Sequence, residues 1–246
     1  MRPRLILIAL CAFLVAPLAR AEGLTITFGG AARQVDVTLP EEPAGAPILL
    51  AFAGAGGAAD LAGFAAAGAA AGAIVLLPEP TGAGWQEGEE EVGFALALLA
   101  EAVTRWGADP ARAFAAGQGA GGIVAQRLAC EAGGSFRAFG LVASALPETL
   151  ARACRPAAPA AIIAIAGAEG VARLAGDGAL LSPERMRAFW ARENTCDAAE
   201  AEGETAIRYA CSGGVVLRFE TGSPGGGAWP EGATAALLAF FADFGL

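Results

Sequence analysis

The sequence predicts an α/β domain with a mostly parallel central sheet flanked by helices. Three observations point there. Short apolar runs bounded by Gly and Pro recur along the chain, with stretches of helical periodicity between them. No linker is long enough to divide the chain. Apolar residues fill 55% of the 246 positions and charged ones only 17%, which suits one packed core and excludes a disordered or fibrous chain. A chain of this size buries about two-thirds of its unfolded surface, so it needs no metal staple.

Taken in order, the chain opens with Arg2 and Arg4, an apolar run of twelve residues from Leu5 to Ala16, Pro17, and the small-x-small sequence Ala19-Arg20-Ala21. That is the layout of a secretory signal peptide, with cleavage expected after Ala21 and a single domain over residues 22–246. The run falls short of the roughly twenty residues that cross a bilayer, so no membrane span is expected once the leader is removed. Cys11 sits within the run after bulky Leu10, not at a cleavage point, which argues against lipid attachment. The expected location is the periplasm or the exterior.

Strands are expected at Val35–Leu39, Ile48–Phe52, Ala73–Leu77, Ala113–Ala116, Phe139–Ala143, Ala161–Ile165 and Val215–Phe219. Helices fill the intervals, and the Ala/Gly-rich stretch from Gly54 to Gly72 reads as loop and helix. Val92, Leu96, Leu99, Val103 and Trp106 form one stripe on a helix that opens with Glu89-Glu90-Glu91, acids placed to complement the helix dipole. Ser182-Pro183-Glu184 reads as N-cap, first helical residue and first-turn acid, with Met186, Phe189 and Trp190 on the apolar side. Leu237, Phe240, Phe241 and Phe244 give the last helix a core-facing stripe.

Missing residue types exclude whole classes of chemistry. The chain has no His, and all 16 basic residues are Arg, so Lys is absent as well. That removes the imidazole base, Schiff-base and Ser–Lys chemistry, and the commonest metal ligand. Without its leader the chain carries 13 Arg against 25 acids, a net charge of −12 and a poor surface for nucleic acid. Four cysteines remain, an even number that favours two disulfides in an exported protein. Of the three pairings, Cys196–Cys211 with Cys130–Cys154 is favoured because each closes a short loop. No pair has Cys-x-x-Cys spacing, so no metal site is expected.

Two glycine patterns follow strands: Gly54-x-Gly56-x-x-Ala59, with Glu79 twenty residues beyond its last position, and Gly117-x-Gly119-x-x-Gly122. Both have the outline of a dinucleotide-binding turn. A chain this rich in Gly yields about 0.7 such matches by chance, and an exported protein meets little nicotinamide cofactor, so no cofactor is expected.

The residues around those glycines explain them better. Asp109-Pro110-Ala111-Arg112 leads into a strand, Gly117-Gln118-Gly119-Ala120-Gly121-Gly122 makes a turn, and Arg127-Leu128-Ala129-Cys130-Glu131 lies on the helix beyond. Along most of the mature chain, further pieces keep a consistent order. They are Leu77-Pro78 with Trp85, Glu91-Val92-Gly93-Phe94, Ala145-Leu146-Pro147, Phe189-Trp190-Ala191-Arg192 with Cys196, and Gly225-Gly226-Gly227-Ala228-Trp229-Pro230. Together they resemble exported α/β-hydrolases of the polyhydroxybutyrate depolymerase and feruloyl esterase type. The resemblance implies the α/β-hydrolase fold, and it implies where an ester-cleaving triad would stand.

At each of those positions the side chain is gone. The family's Gly-x-Ser-x-Gly elbow holds Gly119 in place of the nucleophile. The segment resembling His-Gly-Thr-x-Asp reads Ala166-Gly167-Ala168-Glu169-Gly170, which puts Gly170 at the acid, and Gly227 precedes Ala228-Trp229-Pro230 where the family has His. Ala53 replaces the His of the oxyanion segment, whose glycines Gly54, Gly56 and Gly57 remain. Gly54, Ala55 and Ala120 are the oxyanion-loop candidates, and Trp85, Trp229 and Glu169 the ligand-cleft candidates. The reading that follows is a pseudoenzyme that binds a small ester or hydroxy-acid ligand, or a partner, in the emptied cleft. Its rival is an active ester hydrolase using an unrecognised nucleophile among Ser135, Ser144, Ser182, Ser212 and Ser223, or a carboxylate pair drawn from Glu87, Glu89 and Glu169.

Overall fold

A computed structural model describes residues 20–246 apart from 56, 83, 86–88, 167–177 and 222–228. The N-terminal half runs β1 (Arg20–Phe28), β2 (Ala31–Leu39), β3 (Ile48–Phe52), α1 (Ala62–Ala70), β4 (Ile74–Pro78), α2 (Glu89–Trp106), β5 (Ala113–Gln118) and α3 (Ala120–Glu131). Beyond it come β6 (Ala138–Val142), α4 (Glu148–Ala153), β7 (Ile162–Ala166), α5 (Pro183–Glu193), β8 (Glu200–Glu202), β9 (Ala206–Ala210), β10 (Val216–Thr221) and α6 (Ala233–Ala242).

Among the described residues, all of the strands belong to one ten-stranded sheet ordered β1-β2-β4-β3-β5-β6-β7-β10-β9-β8. From β4 through β10 the pairings are parallel, while the β1–β2 hairpin closes one edge and the β8–β9 hairpin the other, both antiparallel. Central strands are buried on both faces, which is why they read as continuous apolar runs. Alternate residues of β3 feed different cores: Ile48, Leu50 and Phe52 join α2, α3 and α5, whereas Leu49 and Ala51 join α1 and α6. Both expected disulfides, Cys130–Cys154 and Cys196–Cys211, are formed. Among the described residues no helix is long and apolar enough to cross a membrane.

The seven expected strands are all present, Ile48–Phe52 at its expected bounds and the others shifted by one residue or extended. Three more have no counterpart in the sequence reading: β1, β8 and β9. In β1 the apolar Leu24, Ile26 and Phe28 alternate with polar neighbours, and β8 is wholly exposed, so neither presents a continuous run. β1 begins at Arg20, pairing with Leu39, two residues before the expected cleavage point.

Helix α2 corrects the expectation in part. Val92 and Leu99 are buried and Val103 and Trp106 pack against the core, but Leu96 is 37% exposed, and Glu91, Phe94, Ala95, Leu98 and Ala102 are buried as well. Glu91 does not decorate the helix N-terminus. Its carboxylate accepts from Arg33 Nη2 at 3.0 Å, with both side chains fully buried. Phe94 packs on Phe28 at 5.6 Å and lies 3.8 Å beneath the Arg33 guanidinium. Satisfying that cation adds a polar group to the helix's inward face. At α5 the expectation holds: the Ser182 side chain accepts from Arg185 N at 3.3 Å, and Met186, Phe189 and Trp190 are buried.

Candidate functional site

The turn from β5 to α3 sets the site. Gly119 has φ 53° and ψ −116°, a conformation that costs an L side chain strain, and it separates the last strand residue, Gln118, from the first helical residue, Ala120. Its N–H donates to Val142 O at 2.9 Å, tying the turn to the end of β6. Around it the packing leaves no room for side chains. A Cβ on Gly117 would stand 2.2 Å from Gly121 O, one on Gly121 2.0 Å from Phe52 O of β3, and one on Gly122 2.4 Å from Ser144 Cβ. These flanking glycines are therefore steric necessities of a helix pressed onto β3, β5 and the segment after β6, which accounts for the second glycine pattern without a nucleotide.

The oxyanion-loop candidates meet this turn. A Cβ on Gly54 would lie 3.2 Å from Gln118 O, so the loop after β3 touches the elbow directly. Ala55 is exposed beside it, and Ala120 opens α3, where the first N–H groups have no partner within the helix. Trp85 is buried, with its indole N–H donating to Ala53 O at 2.7 Å and its ring edge-on to Phe52. It braces the loop. Trp229 belongs to the other face of the sheet, packing on Phe64 and donating to Thr234 Oγ1 at 2.9 Å. Gly170, Glu169, Gly227 and Glu87 lie outside the described residues, as does Ser223.

Other motif residues turn out to hold the frame. Gln126, fully buried on α3, donates to Ala145 O at 3.0 Å and accepts from the Trp190 indole at 3.2 Å, joining α3, the segment after β6, and α5. Asp109 accepts from Ala111 N and from Arg112 Nε. Hydrogen bonding by Arg112, then by the Ala111 amide, holds its carboxyl below the usual carboxylate range.

A cavity of about 330 Å³ opens at the carboxyl ends of β6, β7 and β10, the edge where open α/β sheets bind ligands. Leu141, Ile165, Met186 and Phe219 supply apolar wall; Ser144, Glu184, Arg187 and Glu220 supply polar groups. Ala166 and Thr221 also line it, and they immediately precede the segments that contain Gly170 and Gly227. On the elbow side the wall is Ala143 and Ser144. Ala143 has φ 46°, uncommon for a residue other than Gly. None of Gly54, Ala55, Trp85, Ala120 and Trp229 is among the lining residues. The structure thus brings the β5–α3 turn and the loop after β3 together and places the cavity beside them, walled, Ser144 apart, by residues not singled out as site candidates from the sequence. For the β8–β9 wall a signal existed: Gly203-Glu204-Thr205 flanked by alternating residues marks a hairpin. Arg187 carried none.

Of the serines, Ser144 alone among the described residues lines this cavity. Its Oγ receives a long 3.4 Å contact from the Gln126 amide, a donor that cannot take a proton.

Neither a protein-family model nor a curated protein matches the sequence. Solved structures do match the fold. A dienelactone hydrolase candidate from Klebsiella pneumoniae superposes with a TM-score of 0.65 at 13% identity, covering 93% of this chain and 100% of that one. An acetyl xylan esterase from Aspergillus awamori gives 0.63 at 15% identity over 90% and 99%. For an S-formylglutathione hydrolase from Agrobacterium tumefaciens the values are 0.62 at 13% over 92% and 96%.

Proposed function

We propose, taking the α/β-hydrolase fold as premise, that this protein is an exported pseudoenzyme of the polyhydroxybutyrate depolymerase-like type, which binds a small ester or hydroxy-acid ligand where its relatives cleave one. One observation supports the reading: at the β5–α3 turn, where the resemblance puts the nucleophile elbow, Gly119 has φ 53° and ψ −116° and no side chain. Acyl transfer by this route needs a nucleophile, a base to take its proton and a group to orient the base. A chain without His has no imidazole base to replace, and Gly170 and Gly227 at the acid and base positions complete the loss. What stays is a turn, a loop and a helix start that can still receive a carbonyl or carboxylate oxygen, with a largely apolar cavity alongside.

The test is hydrolysis of p-nitrophenyl butyrate by disulfide-intact residues 22–246, beside a variant carrying Gly119→Ser, Gly170→Asp and Gly227→His. The unmodified protein is expected to stay at the level of uncatalysed hydrolysis, while the restored variant gains turnover. Ordinary enzymatic turnover by the unmodified protein would defeat the reading. In that event Ser144 is the nucleophile to substitute first, because it faces the cavity behind a strained residue.

A further inference from the structure

The two disulfides sit in different surroundings. Cys130–Cys154 is buried in the core, whereas Cys196 and Cys211 are half-buried and face each other across an antiparallel bridge at the base of the β8–β9 hairpin. The backbone beside the second one is strained. Helix α5 ends in a Schellman cap, in which Thr195 N donates to Arg192 O at 3.1 Å and Cys196 N to Ala191 O at 2.9 Å. Such a cap puts the first residue beyond the helix in the left-handed region, where Gly is usual; here it is the β-branched Thr195, at φ 49°. Asn194 on one side is pinned by two hydrogen bonds to the Ala160 backbone, and Cys196 on the other by the disulfide, so the chain is held in a conformation that Thr195 disfavours.

Every residue from Asp197 to Thr205 is exposed. Among the described residues, the other ties on this segment are slight: β8 pairs with β9 at three positions, Asp197 N donates to Ala210 O, Glu202 meets Arg218 at 3.2 Å, and Thr205 O accepts from Thr221. A segment that buries no side chain lies at the low end of local stability, which leaves the covalent tie as its strongest attachment. The segment is also a wall, because Ala201, Gly203, Glu204 and Thr205 line the cavity. We infer that Cys196–Cys211 is a redox-labile clasp on the cavity: reduction by a dithiol releases residues 197–205 and opens that wall, while Cys130–Cys154 and the central sheet hold. One thiolate of the dithiol attacks a sulfur of the bridge, forming a mixed disulfide and expelling the other cysteine; the second thiolate then displaces the cysteine first attacked. The dithiol loses two electrons and two protons, and the two cysteines gain them. Exposure gives the reductant access, and relief of the Thr195 conformation favours the reduced form. The inference does not depend on what the cavity binds.

Equilibration of the native, disulfide-intact protein with graded ratios of reduced to oxidised dithiothreitol, followed by alkylation and mass spectrometry, reads which bridge opens. Hydrogen exchange on the same samples reads what is freed. Cys196 and Cys211 are expected to be alkylated at a ratio at least about tenfold below that for Cys130 and Cys154. Amides of residues 198–205 should then exchange at least about tenfold faster, while those of β3, β5 and β6 keep their protection. Cys196→Ser with Cys211→Ser should show the same exchange pattern without reductant. Thr195→Asn, whose side chain tolerates the left-handed region, should require a ratio about three- to tenfold higher than the parent. Opening of both bridges together, unchanged exchange over 198–205 after selective reduction, or a Thr195→Asn bridge reduced as readily as the parent's overturns the inference. Should the double Ser variant fail to fold, the selectively reduced parent still decides.

Discussion

Replacing Glu91 by Gln leaves the Arg33 guanidinium charged, dry and without its counter-ion. Arg33 Nη2 lies 3.0 Å from Glu91 Oε2 and 3.3 Å from Glu79 O, and among the described residues its Nε and Nη1 have no hydrogen-bond partner. Removing one member of a buried pair costs about 3–5 kcal/mol. The Phe94 ring and the Glu79 carbonyl remain to the cation, so the lower end, about 3 kcal/mol, is expected. For a domain of this size that is a fall in Tm of about 6–12 °C. The companion variant, Arg33→Met with Glu91→Leu, removes both charges at similar volume, and it is expected within about 1 kcal/mol of the parent or above it. Urea denaturation and scanning calorimetry of the oxidised protein measure both, and 1 M salt should leave the single variant's deficit nearly unchanged, because screening does not reach a dry pair. A Glu91→Gln protein within 1 kcal/mol of the parent, or a double variant no more stable than the single one, would refute the reasoning.

Two further stability predictions follow from the geometry. Gly121→Ala should cost about 3 kcal/mol or more by urea denaturation, since its Cβ would meet backbone at 2.0 Å, whereas Gly63→Ala, on α1 with open space around it, should gain about 0.5–1 kcal/mol. Asp109→Asn tests the pH dependence. Its carboxyl is depressed in the folded state by Arg112 and the Ala111 amide, so its stabilisation is present above the unfolded pKa and lost as pH falls through the folded one; the Tm gap between parent and variant at neutral pH should close in strong acid. A gap that persists at the lowest pH would show that the carboxylate charge is not its source.

The frame was legible because its signals are local. Central strands buried on both faces must be apolar throughout, so Ile48–Phe52 announces itself, and Ser182-Pro183 marks a helix start through groups within one turn. Cysteine pairing followed from an even count and short loops, and the tight β5–α3 turn from the glycines around Gly119. Long-range satisfaction of polar groups has no such local mark. That Glu91 lies inward on α2 depends on Arg33, 58 positions away, and on the energetic penalty for burying a cation alone. The exposed edge strand β8 exists only because β9 pairs with it. The cavity is the clearest case: its walls come from β6, β7, α5, the β8–β9 hairpin and β10, segments that nothing in the sequence joins, and only the sheet's strand order places Arg187 beside Phe219. Sequence determined the scaffold and put a residue without a side chain, Gly119, at the β5–α3 turn. Tertiary structure decided which charged groups face one another, because burial and Coulomb interaction act through distance in space and not along the chain.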